Sequence, residues 1–145
     1  MFFKKNQSSR LLDPTIELFD TIIGQSTQIH GRIVTDVALR VDGVVIGDIE
    51  AERDKNITVA IGHSGKVEGD IKAYRVFIAG HVVGNVYASE RVELHKNAVV
   101  DGDVTFGQLG VENGAKITGL MLSREGKKPV GPVDHSMLVI NTAKK

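Results

Sequence analysis

Five histidines and a set of regularly placed aspartates are the side chains of this 145-residue sequence best suited to chemistry. Three histidines converging at about 2.1 Å would hold a zinc ion, the device of a carbonic anhydrase-like enzyme, and a lone histidine could serve acyl transfer. Asp48, Asp70 and Asp103 each directly follow a glycine. Stacked above one another, they would form an acidic ladder of the kind a polysaccharide lyase combines with Lys or Arg in a groove. Other chemistry is excluded at once. There is no cysteine, hence no thiolate nucleophile, disulfide or Cys-based zinc site. No Walker A or GxGxxG loop is present to hold a nucleotide, and no calcium-binding nonapeptide repeat. Charge balances at 18 basic against 18 acidic residues, without a basic stripe interleaved with aromatics, so no nucleic-acid partner is expected.

Whether the candidate residues meet depends on the elements that carry them. All three prolines lie outside residues 22–122, whereas 14 of the 16 glycines lie within that stretch, with 16 Val, 11 Ile and only five Leu. Val and Ile in short runs between glycines favour strands and tight turns over helices. The middle of the chain therefore reads as all-β, with residues 1–20 and 123–145 as flexible tails. No apolar run approaches the roughly 18 residues of a membrane-spanning helix, and the start lacks the apolar stretch of a secretory signal. A cytoplasmic protein, soluble or peripherally attached to a membrane, is expected.

Within the middle, Gly31, Gly47, Gly69, Gly84, Gly102 and Gly119 recur at intervals of 15 to 22 residues. Two positions before them stand Ile29, Val45, Val67, Val82, Val100 and Ile117; two positions after stand Ile33, Ile49, Ile71, Val86, Val104 and Met121. A further apolar doublet precedes the later glycines, at Leu39/Val41, Val59/Ile61, Val76/Ile78, Val92/Leu94 and Leu109/Val111, with Thr21/Ile23 as its weaker first copy. The longest unit takes up its extra length at Glu52–Asn56. Period-2 apolarity inside such a repeat cannot close a core by itself, but stacked repeats can. The expected fold is a single right-handed parallel β-helix, a triangular solenoid of about six coils over residues 21–122. A left-handed helix would need a strict six-residue period, which these spacings break.

On this frame the enzyme readings weaken. His63 and His95 fall nearly in phase but two coils, about 10 Å, apart, His30 and His81 lie at other phases, and His135 lies in the tail, so no three can reach one zinc ion within a subunit. The residue after each glycine is expected to point outward at a turn, where Asp and Asn bond the local backbone. No catalytic, cofactor-binding or metal residue is assigned, and no enzyme is expected. The ends matter more. A solenoid normally carries a polar or helical cap at each end. Here the first coil opens with Ile22, Ile23 and Ile29, and the last closes with Ile117, Leu120, Met121 and Leu122. Open β edges recruit further chains, so end-to-end stacking into a filament follows from the pattern itself.

The array of xGDI and xGNV units on a Val/Ile/Gly core, beginning TIIGQSTQIHG at Thr21 and continuing VDGVVIG at Val41, resembles the bactofilins. The resemblance covers residues 20–122, and the MLVIN segment at Met137 resembles a recurring tail element of that family. It implies a bacterial cytoskeletal protein that polymerises without nucleotide, head-to-head and tail-to-tail. It further implies a scaffold at the inner membrane that places cell-wall synthesis or hydrolysis proteins and shapes the cell.

Specific expectations attach to named residues. Phe106 stands in a column that otherwise holds the small residues Thr35, Ala51, Ala73, Ala88 and Ser123. It is expected either at the C-terminal polymer interface, with Leu120 and Met121, or filling core volume where the coil widens. Ile23 and Ile29 are the corresponding choices at the N-terminal end. Phe2, Phe3, Lys4 and Lys5 would insert rings and pair with anionic inner-membrane lipids, and the resemblance points to the same role for this start. Phe77 and Ile46 are expected to face outward as lateral contacts or ordinary surface. The alternatives are a non-polymeric β-helical adaptor docking membrane or cell-wall enzymes and, more distantly, a β-helix acyltransferase or carbonic anhydrase-like enzyme.

Overall fold

A computed structural model describes residues 18–124. Every described element is a strand and every pairing is parallel. Six coils follow one another. The first holds β1 (Thr21–Ile23), β2 (Gln28–His30) and β3 (Ile33–Thr35); the second holds β4 (Leu39–Val41), β5 (Val44–Ile46) and β6 (Ile49–Ala51). Next come β7 (Thr58–Ile61) and β8 (Lys66–Glu68), then β9 (Ile71–Ile78), which closes the third coil and opens the fourth. After β10 (His81–Val83), β11 (Val86–Leu94) likewise closes the fourth and opens the fifth, which continues through β12 (Val99–Asp101) and β13 (Val104–Phe106). The sixth consists of β14 (Gln108–Val111), β15 (Lys116–Thr118) and β16 (Met121–Ser123).

The pairing registers reproduce the columns of the repeat. Ile29, Val45, Val67, Val82, Val100 and Ile117 pair in sequence on one face. Ile33, Ile49, Ile71, Val86, Val104 and Met121 do so on a second. The doublets Ile23, Val41, Ile61, Ile78, Leu94 and Val111 form the third. These three inward columns make one continuous core, sealed to zero exposure at Val45, Val67, Val82 and Val100. At about 4.8 Å per coil, the six coils form a rod of roughly 28 Å.

Corner lengths explain the uneven spacing of the glycines. The corner carrying the glycine and its following residue never varies in length. The corner before it takes two or four residues, and the longer version is closed by bonds such as Gly65 N to Gly62 O at 2.8 Å and Ala98 N to His95 O at 2.9 Å. The remaining corner absorbs everything else: a loop from Glu52 to Ile57, a single residue at Tyr74 within β9, and a register shift between Ala88 and Arg91 in β11.

Candidate functional site at the ends of the rod

The constant corner shows why the rod has direction. Each corner glycine from Gly47 onward sits with its Cβ position 2.0 to 2.2 Å from the carbonyl oxygen of the equivalent glycine one coil earlier. No side chain fits there, so the glycine column stacks backbone on backbone toward the N-terminal end. The next residue points the other way. The carboxylate of Asp48 accepts the N–H of Asp70 at 2.8 Å and Asp70 that of Asn85 at 2.9 Å. Asn85 in turn accepts the N–H of Asp103 at 2.9 Å, and Asp103 that of Leu120 at 3.0 Å. The acidic column is therefore a chain of inter-coil caps that leans toward the C-terminal end, where local turn bonding was expected. Asn85 serves as well as an acid because only an acceptor oxygen is needed. Asp70→Ala should lower stability by about 1–2 kcal/mol by orphaning the Asn85 N–H, whereas Asp70→Asn should stay within about 0.5 kcal/mol of wild type. Urea melts of the two variants, compared at equal m-value, check this.

Both columns stop at the ends. Arg32 replaces the acid in the first coil and pairs with Glu50, and Leu120 in the last coil offers no acceptor onward. At Gly31 and Gly24 a Cβ would meet nothing within 4 Å, whereas Gly43, Gly65 and Gly80 at one corner, and every glycine from Gly47 onward at the other, face a carbonyl of the preceding coil. Strands β1, β2 and β3 pair only with the second coil, and β14, β15 and β16 only with the fifth. Among the described residues, the inward aliphatic side chains that remain only half-buried are Ile29 and Ile33 at one end, Leu109 and Val111 at the other, and the small Ala73 in mid-rod. Each end is thus an unpaired β edge over an incompletely closed core.

The residues singled out from sequence distribute unevenly over this geometry. Ile29 is half-buried at the N-terminal end, while Ile23 is 7% exposed within the first coil. Leu120, at 42% exposure, lies at the C-terminal end and Met121 points into the core. Phe106 is 6% exposed, its ring inside the fifth coil and its strand partner Ser123 in the sixth. Phe2, Phe3, Lys4, Lys5 and the Met137–Asn141 segment lie outside the described residues. Gly24 was missed in the sequence reading, because its significance is the empty space beside it. Ile22 and Val34, exposed in the first coil, were also not singled out as contact residues.

The expectation that Phe77 stands exposed is corrected. It alternates outward between Ala60 and Glu93, yet the His95 ring packs edge-on at 6.4 Å and the side chain is only 9% exposed. Ile46 is half-buried. The histidines do not gather: His95 lies among Glu93, Glu112 and Phe77, and His81 pairs with Asp101 at 3.0 Å on another face. No cluster able to hold a metal occurs among the described residues.

A family model described as bactofilin, polymer-forming cytoskeletal, matches residues 21–121, all six coils up to the start of the last strand. The chain belongs to the bactofilins. It is 36% identical over 105 residues to bactofilin BacO of Myxococcus xanthus, across 72% of this chain and 80% of BacO. To bactofilin BacP of the same organism it is 30% identical over 112 residues, across 77% of this chain but only 45% of BacP. Among solved structures it is similar to a cryo-EM reconstruction of Thermus thermophilus bactofilin double helical filaments. That match has a TM-score of 0.63 and 31% identity, and it covers 71% of this chain and 98% of the other. The bactofilin match thus rests on the β-helix that the repeat predicts, and the ends described above belong to a polymer-forming family.

Proposed function

We propose that this bactofilin is a scaffold that assembles end to end into nucleotide-independent, non-polar filaments at the inner membrane and positions cell-wall and cell-shape machinery there. The observation that carries the reading is the pair of open ends: three unpaired edge strands at each, over large aliphatic side chains left half-buried. Joining ends would bury those aliphatics at roughly 25 cal/mol per Å² and pair the free edges. The filamentous structural neighbour supports the same conclusion. Ile29, Leu120 and the backbone around Gly24 and Gly31 form the joining surfaces, with Ile23, Phe106 and Met121 supporting them from within.

Membrane attachment is assigned to Phe2, Phe3, Lys4 and Lys5. One such start binds anionic lipid weakly, at about 1 kcal/mol per basic residue, and a filament multiplies it by avidity. Negative-stain microscopy and vesicle co-pelleting of the full chain test both parts together. In nucleotide-free buffer the wild type should form thin uniform filaments that pellet with anionic vesicles. Deleting residues 2–5 should leave the filaments and reduce vesicle pelleting at least roughly tenfold. Particles that stay small at every salt and protein concentration would replace the filament by the adaptor reading. Undiminished pelleting of the deletion would remove the membrane role from the Phe-Phe-Lys-Lys start.

A further inference from the structure

The corner that absorbs the irregular spacing also makes a groove of about 390 Å³ along the side of the rod, running from the second coil to Arg124 just after the last edge strand. Its wall toward the N-terminal end is the Glu52–Ile57 loop, which is pinned in place. Ile57 is 5% exposed, and its carbonyl accepts the N–H groups of both Tyr74 and Arg75 at 3.2 Å. Tyr74 and Tyr87 lie across the middle. The far wall is Arg124, whose guanidinium reaches back two coils to the Ser89 carbonyl at 3.3 Å. Lys72 sits 5.6 Å above the Tyr87 ring.

The charges of this groove are unevenly committed. Glu50 is held by Arg32 and Glu52 by Lys55. Arg53, Lys72 and Arg124 have no carboxylate partner among the described residues. Two exposed guanidinium groups therefore flank two tyrosine rings, each of which carries a cation over one face: Lys72 over Tyr87 and Arg75, at 5.2 Å, over Tyr74. By the coil rise, the loop and the Ser89 carbonyl are about two coils, or roughly 10 Å, apart along the axis. A polyproline-II chain returns to the same face every three residues, after about 9 Å, and such chains dock on aromatic-lined grooves. A flat bilayer would not follow a concave floor set behind a loop.

We propose that this groove docks an extended, proline-containing acidic segment of a partner protein, with carboxylates three residues apart on Arg53 and Arg124 and prolines against Tyr74 and Tyr87. The proposal deepens the scaffold reading, on which it rests, by giving the scaffold a place and a chemistry for its cargo. A pinned loop and short aromatic side chains lose little freedom on binding, so the surface is pre-organised.

The test uses the full chain and a fluorescein-labelled Glu-Pro-Pro-Glu-Pro-Pro-Glu peptide, with the Gln-for-Glu peptide as control, read by anisotropy. Filament pelleting is run in parallel, so that loss of assembly and loss of docking are read separately. Expected is saturable binding of the acidic peptide, weakened at least tenfold in Arg53→Glu/Lys72→Glu and at least fivefold in Tyr87→Ala. Filaments should be intact in all three proteins, and Lys66→Ala, on another face in the middle of the rod, should bind as wild type does. No binding at millimolar peptide, equal binding of the Gln peptide, or unchanged affinity in the double variant overturns the proposal. Loss of anionic-vesicle binding in that variant with the peptide still bound overturns it in favour of a lipid surface. Peptide binding that appears only after Asp13→Asn/Glu17→Gln overturns it in favour of the chain's own stretch 11–21, which carries Asp13, Glu17 and Asp20 and no basic residue.

Discussion

Blocking one end of the rod should stop growth at a dimer, and blocking both should leave a monomer of 15.7 kDa. Gly24→Arg is the N-terminal plug. Its Cβ meets nothing within 4 Å, so the arginine projects from the first coil without disturbing the fold. Leu120→Arg is the C-terminal plug. The column it ends leans toward the C-terminal end, and the leucine is already 42% exposed. Phe106 is unsuited to the same experiment, because an arginine there would be a charge in the core. In an assembly of like ends, each singly plugged protein retains one working end and pairs through it, an isologous contact that closes on itself. In a head-to-tail assembly every joint needs both ends, and each single plug would give monomers. Light scattering coupled to size exclusion separates the outcomes. Dimers from each single variant and monomers from the double confirm joining of like ends; monomers from the singles establish a polar filament; filaments from either single variant remove that end from the joint.

The second large effect concerns the glycine column. Gly84→Ala should lose at least about 3 kcal/mol of stability, because a methyl group would stand 2.1 Å from the Gly69 carbonyl oxygen on a residue at φ +150°. Neither neighbouring coil can yield without breaking the parallel ladders on both sides. Gly31→Ala is the matched control. Its φ is +139°, so backbone strain is retained, but nothing occupies the space ahead of it. In dilute, unassembled protein it should lose only about 1–2 kcal/mol. A thermal melt of both, on the Gly24→Arg/Leu120→Arg background to keep the protein monomeric, compares them directly. Equal losses at the two positions would show that conformation alone, and not the inter-coil approach, requires glycine in this column.

Much of the fold was legible because a solenoid writes each contact into the sequence several times over. The Ile29-to-Ile117 and Ile33-to-Met121 columns appear in the chain as fixed offsets from a glycine, and the pairing registers match them residue for residue. The direction of a side chain along the rod axis is not written this way. Period-2 alternation separates inside from outside but says nothing of up from down. For that reason the Asp48, Asp70, Asn85 and Asp103 column was legible as polar surface but not as a run of caps from coil to coil. Phe77 shows the other limit. Alternation correctly turns it away from the core, while its burial depends on the His95 ring from the next coil, a contact between residues of different phase. At the ends, hydrophobic pattern marked Ile23 and Ile29 alike, and only the three-dimensional closure of the first coil leaves Ile29 the more open of the two.

The opposed glycine and acid columns have a mechanical consequence. From the second coil to the sixth every step along the axis is locked twice, by backbone packed against backbone and by a side-chain cap reaching across. Where two subunits meet, no cap reaches across: the column ends in Leu120 at the C-terminal face and leans away from the N-terminal one, so the second lock is absent. A filament of such rods is therefore stiff along each segment of roughly 28 Å and compliant at the joints. Under a bending load it yields and severs between subunits while the coils within each one hold.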